Sequence, residues 1–188
     1  MVGSKMNQTI KDERYTFMRP PFDTSAFTKG SLEKNCSLRP ITDSNQYILM
    51  NLAQAYEAEF SLLTGKMPDE NGHFKLDTQL SPDYQGYLFY VDITPVGFCI
   101  LNTKASPMYV AEFYVIPSLR RKKVGTIFAQ IIFKGHPGNW QVSQIEGASH
   151  AIEFWRKVIR ACSNGGFKEE NVIAPDWGPV TRQSFTIS

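Results

Sequence analysis

The sequence has few cysteines, few histidines, no long apolar run and almost no net charge. Its cysteines, Cys36, Cys99 and Cys162, are an odd count without C-x-x-C spacing. That argues against a disulfide framework and predicts reduced thiols in a cytoplasmic protein. Cys99 lies in an apolar run and Cys162 in register with a helix face, so both read as small core residues. His73, His136 and His150 lack metal-ligand spacing, so no metal is expected. No apolar stretch reaches the roughly 18 residues a membrane span needs, and no apolar core follows the N-terminal charges. Neither a membrane segment nor a secretory signal is therefore expected. Twenty basic against 18 acidic residues leave a net charge of +2, too small to imply nucleic acid. Neither G-x-x-x-x-G-K-[ST] nor G-x-G-x-x-G occurs, which removes the two common nucleotide-phosphate loops.

The chain does have a core. Of its 188 residues, 42% are hydrophobic and 13% aromatic, enough for one domain without staples. Residues 1–35 show no periodicity, and Arg19-Pro20-Pro21 forbids helix there. This irregular extension either drapes over the domain through Tyr15, Phe17, Phe22 and Phe27 or stays mobile. The domain itself is expected over 36–188. A first strand is predicted over Ser37–Thr42, with its proline marking an edge. Asp43 or Ser44 then caps a helix whose stripe is Leu49, Leu52, Ala53, Tyr56, Phe60 and Leu63, stopped by Gly65. Glu57 and Glu59 fall on its polar side and read as solvated, or else as facing a cationic substrate. A polar loop fills 66–86, with a short helix expected around 74–80.

Tyr87–Val91 and Val96–Leu101 form a hairpin in which Gly97 signals a bulge or a close approach. Met108–Ile116 is the next, central strand, reached across a turn over Lys104–Pro107. The period then changes to 3.6 with Val124, Ile127, Phe128, Ile131 and Ile132, up to His136-Pro137-Gly138. Trp140–Ile145 alternates as a strand. Strand, helix and strand over 108–145 make a right-handed βαβ crossover with parallel strands. A helix follows with Ala151, Phe154, Trp155, Val158, Ile159 and Cys162 on one face, closed by Gly165-Gly166. Strands over Phe167–Ala174 and Val180–Ile187 end the chain. The fold class is α/β (α+β): a mixed sheet with helices on both faces.

The stretch around which the chain is organised is Glu112-Phe113-Tyr114-Val115-Ile116-Pro117-Ser118-Leu119-Arg120-Arg121-Lys122-Lys123-Val124-Gly125-Thr126. It is a buried strand, a basic turn and a helix start. Unpaired N–H groups and the positive end of the dipole meet there, and phosphates bind such ends. Four cations beside a helix N-terminus cost roughly 0.3–1 kcal/mol each. A sequence shaped for stability alone places acids there, so the conflict points to an anion site.

Arg120-Arg121-Lys122-Lys123-Val124-Gly125, after a strand ending Phe113-Tyr114-Val115-Ile116-Pro117, resembles motif A, [QR]-x-x-G-x-[GA], of the GNAT superfamily of acyl-CoA-dependent N-acetyltransferases. Pro95-Val96-Gly97-Phe98 before it and Ala151-x-x-Phe154-Trp155 after it extend the likeness over roughly residues 37–188. The resemblance implies a largely antiparallel twisted sheet around the parallel crossover, and acetyl-CoA as acyl donor. Arg120 fills the motif's first position. The strand end, Phe113, Tyr114 and Val115, would pair with the pantetheine arm. The turn Arg121, Lys122, Lys123, Val124, Gly125 and Thr126 would hold the pyrophosphate. The thioester would enter where the strands flanking the motif helix splay. Lys123 replaces the motif's first glycine, Ala148 a frequent asparagine that contacts the cofactor arm, and Trp155 a frequent tyrosine that protonates the leaving thiolate.

Amine acetylation needs a general base and close positioning. Glu112 is the candidate base, since burial on the motif strand raises its pKa. The alternative is a structural carboxylate paired with Arg39 or a lysine. Tyr114 shares its strand face and reads as core packing. His136 and His150 sit at helix boundaries, where capping or exposure is commoner than catalysis. No cysteine occupies a nucleophile position, so the amine of a small molecule or a protein would attack directly. The acceptor itself is not legible, and the sequence leaves a homodimer open. Two other readings compete with the enzyme: a CoA-binding module with weak or no catalysis, and nucleic-acid binding through 120–123. The single compact basic run disfavours the last.

Overall fold

Among the described residues, seven strands pair in the order β1-β2-β3-β4-β5-β7-β6. They are β1 (Cys36–Pro40), β2 (Tyr84–Val91), β3 (Thr94–Asn102), β4 (Met108–Val115), β5 (Gly138–Ile145), β6 (Phe167–Ala174) and β7 (Gly178–Ile187). Three helices accompany them: α1 (Gln46–Thr64), α2 (Val124–Gly135) and α3 (Ser149–Cys162). The computed structural model describes residues 35–163 and 166–188, so the extension expected over 1–35 lies outside them except for Asn35.

The sheet is mixed. β4 and β5 run parallel, joined by α2, and the other pairings of these strands are antiparallel. Helices cover both faces, as the sequence predicts. On one side α1 buries Leu49 and Ala53 against Leu88, Phe98, Ile100 and Tyr114. On the other, α2 and α3 bury Phe128, Phe133, Trp155 and Val158 with Phe89, Trp140 and Phe185. No helix among the described residues is long and apolar enough to cross a membrane.

The hairpin turns at Asp92-Ile93, since Val91 pairs with Thr94. Its register shifts between Phe89 and Tyr90, opposite Val96, and a Cβ on Gly97 would stand 2.2 Å from the Tyr114 carbonyl oxygen. Gly97 therefore marks both a bulge and a close approach, and no side chain fits there.

Three expectations need correction around α1. The segment 74–80 is irregular rather than helical. Its backbone is held instead by the Gln54 amide, which gives to the Phe74 carbonyl at 3.0 Å and accepts from the Phe74 N–H at 2.8 Å. The helix starts after Asn45, not at Asp43 or Ser44, because the Asn45 side chain ties back to the Thr42 N–H and the Pro40 carbonyl. Glu57 is not solvated: it is 0% exposed. It lies four residues after Ala53 and eight after Leu49, on the buried stripe.

Lys66 Nζ bridges Glu57 Oε2 and Asp77 Oδ1, both at 2.7 Å, while Glu57 Oε1 has no partner among the described residues. Lys66→Met is expected to lower stability by about 3 kcal/mol. That is the low end for orphaning a buried charge, because the lysine itself stays partly exposed. Urea unfolding measures it, and Glu57→Gln in the same chain should recover part of the loss.

Candidate active site

β4 and β5 pair at only two positions, Met108 with Trp140 and Tyr109 with Gln141. Beyond Tyr109 the strands part, and a gap opens between Val110–Val115 and Val142–Ile145. Alternate backbone groups of a strand point to each side, so β4 presents unpaired N–H and C=O groups to this gap. A second irregularity faces the other way. Ile100 pairs with Glu112 but Leu101 with Val110, leaving Ala111 as a bulge that re-aims the strand at this point.

The basic turn closes one end of the gap. After β4 the chain makes a 3-10 turn over Pro117–Leu119 and then enters α2. Arg121 and Lys123 both adopt left-handed backbone, with φ of 62° and 65°. The first helical donor is Ile127, whose N–H reaches Lys123 O at 3.0 Å. Those of Val124, Gly125 and Thr126 have no backbone acceptor among the described residues. Successive residues of one turn thus give open amides at a positive helix end, the arrangement that binds a phosphate group.

Left-handed lysine is strained by about 1–2 kcal/mol. Lys123→Gly should relieve that strain and add about 0.4–1 kcal/mol of unfolded-chain freedom in opposition. The expected net is a stabilisation of about 0.5–1 kcal/mol in thermal or denaturant unfolding.

Arg120 stands apart from its neighbours. Its Nε donates to Val115 O at 3.0 Å, and its Nη1 meets Glu59 Oε2 at 2.7 Å. Its guanidinium also lies 5.5 Å from the Tyr114 ring centroid. Arg120 therefore braces the end of β4 against α1. Tyr114 packs between Phe98 and Tyr56. Burial and the Glu59 charge push its phenol up to about 12, so it stays protonated core packing. Phe113 faces the opposite layer and stacks on Phe128 at 4.9 Å.

Glu112 is 5% exposed on the α1 face of β4, where that strand has left β5. Among the described residues it pairs with neither Arg39 nor a lysine. Its Oε2 accepts the Tyr56 hydroxyl and its Oε1 the Thr78 hydroxyl, both at 2.7 Å. Burial raises its pKa above the ordinary carboxylate range. The two hydroxyls oppose that shift, and the Glu57 and Asp77 charges add to it. Burial and Glu112 together hold Tyr56 firmly protonated. The resulting group is a carboxylate more basic than an ordinary one and held in place by two hydroxyls, which suits it to take up a proton.

Tyr56 and Thr78 are the partners the sequence did not reveal. Tyr56 reads as one apolar position of α1, and Thr78 sits in a loop with no periodicity. His136 lies at the far end of α2, against Tyr87 Oη at 3.3 Å and Ile132 O at 3.0 Å. His150 is exposed at the start of α3. Neither is among the partners of Glu112. The described thiols are unbridged, and no group of metal-ligating side chains forms among the described residues.

No protein-family model matches the sequence, and no curated protein does so either. Solved structures do match. An acetyltransferase from Thermus thermophilus aligns with a TM-score of 0.60 at 13% identity, over 81% of this chain and 97% of its own. The aminoglycoside acetyltransferase AAC(6')-Ib, solved with coenzyme A, gives 0.60 at 15% identity over 80% and 94%. A chimera of spermidine N-acetyltransferase from Vibrio cholerae gives 0.54 at 11% identity over 81% and 95%.

The chain has the GNAT fold.

The GNAT frame gives the parted strands and the basic turn a common reading, and the residues here can be tested for their fit to an acyl-CoA. Gln144 supplies one indication. It is 5% exposed on β5 beside the gap, and neither its Nε2 nor its Oε1 has a partner among the described residues. Such a carboxamide is costly to leave unpaired, about 1–3 kcal/mol per group. It shares its strand face with Trp140 and Val142, on the α2–α3 side of the sheet, and a polar ligand group reaching that side would relieve the cost. Gln144 comes shortly before Ala148, the position where the family often carries asparagine. Gly125 supplies a second indication: its missing side chain keeps the helix start open beside Phe154. The donor set and the open amides fit acetyl-CoA. Trp155 does not replace the family's tyrosine in function. It is buried against Phe113, Phe133 and Phe154, and an indole is no acid at neutral pH.

Proposed function

We propose that this chain is an N-acetyltransferase that moves an acetyl group from acetyl-CoA to a primary amine by direct attack. The observation that carries the reading is the parting of β4 from β5 between the open amides of α2 and the Glu112 carboxylate. Arg121, Lys122, Lys123, Val124, Gly125 and Thr126 would hold the pyrophosphate. Backbone groups of Phe113, Tyr114 and Val115, with the Gln144 amide, would hold the pantetheine arm. Acetyl-CoA supplies the activated acyl group as a thioester. The amine nitrogen forms the new N–C bond as the C–S bond breaks. The proton lost by the amine goes to Glu112, directly or through a water. Tyr56 and Thr78 keep that carboxylate in one orientation. The thiolate takes its proton from solvent or another side chain, since Trp155 cannot give one.

Acetyl-CoA consumption with a panel of primary amines, followed by release of free thiol, tests the proposal. Amine-dependent thiol release supports it, and binding of CoA without release by any amine points to the second reading. That second reading, a CoA-binding module with weak or no catalysis, is favoured by one observation, the burial of Trp155 where the family often places its acid.

A further inference from the structure

The gap between β4 and β5 has a roof on the α1 side, and its make-up limits what amine can enter. α1 belongs to the β1–β4 half of the sheet through Leu49 and Ala53. Its C-terminal turns nevertheless reach across to the other half. Phe60 meets Trp177, in the turn between β6 and β7, at a ring-centroid distance of 6.0 Å. β7 begins beside the end of β5, where Val180 pairs with Ile145. Leu63 also crosses, packing over Gly147, where a Cβ would lie 3.3 Å from its Cδ2. On the inner side Phe60 stacks on Tyr56 at 5.6 Å with rings 15° apart, and Tyr56 donates to Glu112. Trp177, Phe60, Tyr56 and Glu112 thus form one continuous wall. It starts 43% exposed at Trp177 and ends 5% exposed at the carboxylate.

Most acidic groups along this wall are ion-paired, but Asp176, beside Trp177, and Glu146, beside Gly147, are exposed and in no ion pair among the described residues. Glu59 is paired with Arg120, and Glu57 and Asp77 share Lys66. Glu112, by contrast, is held by neutral groups. The wall therefore offers the rings of Trp177 and Phe60 at its outer end and, at its inner end, a carboxylate with no cation partner among the described residues, which complements one ammonium on a flat apolar body. A polyamine brings further cations, and the carboxylates on α1 and its loop that they would meet near Glu112 are already ion-paired, leaving Asp176 and Glu146 at the exposed outer end.

Resting on the acetyltransferase reading above, we infer that the acceptor is a primary amine carried on an aromatic body, which slides along Trp177 and Phe60 to bring its nitrogen to Glu112. A peptide beginning with an aromatic residue carries the same chemistry as a free arylalkylamine.

The test compares 2-phenylethylamine, n-butylamine, spermidine and a short peptide beginning with Phe as acceptors of the full chain. We expect kcat/KM for 2-phenylethylamine or the peptide to exceed that for butylamine and spermidine by about tenfold or more, the worth of one buried ring contact. The better of the two aromatic acceptors identifies the source. Trp177→Ala should raise KM for the aromatic acceptor by about fivefold or more and that for butylamine by much less. Equal or better use of spermidine or butylamine, or an aromatic preference untouched by Trp177→Ala, overturns the inference.

A second readout needs no turnover. Trp140 and Trp155 are buried, so Trp177 is the tryptophan that a ligand at the wall can reach. A change in tryptophan emission on adding 2-phenylethylamine in the presence of CoA, lost in Trp177→Phe, supports the wall even if no acetyl transfer occurs. In that case the catalytic reading alone would fall. No emission change and no aromatic turnover overturns the inference.

Discussion

Gly125→Asp is expected to abolish coenzyme A binding and leave the fold intact. Gly125 is the second residue of α2, after the left-handed Lys123. An aspartate here is favourable to the isolated helix by about 0.3–1 kcal/mol, because its charge meets the positive end. Its Cβ would come within 3.3 Å of the Phe154 ring edge and 3.7 Å of a Val115 methyl, a tight fit that a small ring movement accommodates. For a bound phosphate the same carboxylate is repulsive. Two charges about 4 Å apart near a protein surface repel by roughly 4 kcal/mol, which is a loss of about 100- to 1,000-fold in affinity even after partial screening. Calorimetry with CoA measures it, alongside thermal unfolding to show that the variant is folded. Gly125→Ala, with the same Cβ and no charge, should lose much less. Unchanged affinity in Gly125→Asp would sink the assignment of this turn to the pyrophosphate.

Glu112→Gln should do the opposite, sparing binding and lowering turnover. The geometry allows a clean substitution. Both partners of Glu112 are hydroxyls, which can turn to donate or accept, so an amide can take the place of the carboxylate. A glutamine accepts no proton, so kcat should fall by about 100-fold or more, the ordinary range for a lost general base. The pH profile separates this role from a structural one. Burial raises the Glu112 pKa above its usual value, so the acid limb of kcat/KM should lie above about pH 4.3, with activity rising as pH rises through it. In Glu112→Gln that limb should vanish. Stability runs the other way. A carboxyl whose pKa is raised on folding favours the folded state at low pH and loses that contribution as pH rises through the folded pKa. The variant should thus gain in melting temperature relative to the parent as pH rises from about 4 to about 8. A parent acid limb that survives unchanged in the variant would assign the base elsewhere.

Much of the architecture was legible because it rests on local rules. The period change at Val124, the glycine stop at Gly65, the close approach at Gly97 and the turn at Lys104–Pro107 all follow from single residues or short spacings. The basic turn was legible for a different reason, namely that its charges contradict what a helix start prefers. The strain at Lys123, which stands where the family's motif has glycine, shows only in the backbone, where φ is 65°.

What failed was wherever two distant segments decide one side chain. Glu57 carries the sign of a surface residue, yet it points inward because Lys66 and the 66–80 loop return over α1. Residues 74–80 were expected to be helical, yet Gln54 clamps the Phe74 backbone, and Leu76 and Thr78 of the same irregular segment turn inward, Thr78 to Glu112. Arg120 belongs by sequence to the basic run, and by structure to Glu59 of α1.

The layers, the order of the elements and the open helix start beside the basic turn could be read from the residues alone, since hydrophobic period and backbone preference are properties of neighbours along the chain. Folding in three dimensions added the rest. It set where β4 and β5 part, after two residue pairs, left Gln144 without a hydrogen-bond partner among the described residues, and brought Trp177, Phe60, Tyr56 and Glu112 into one line of contacts. Those features depend on strand pairing and on contacts between residues tens of positions apart, whose energies no local pattern encodes.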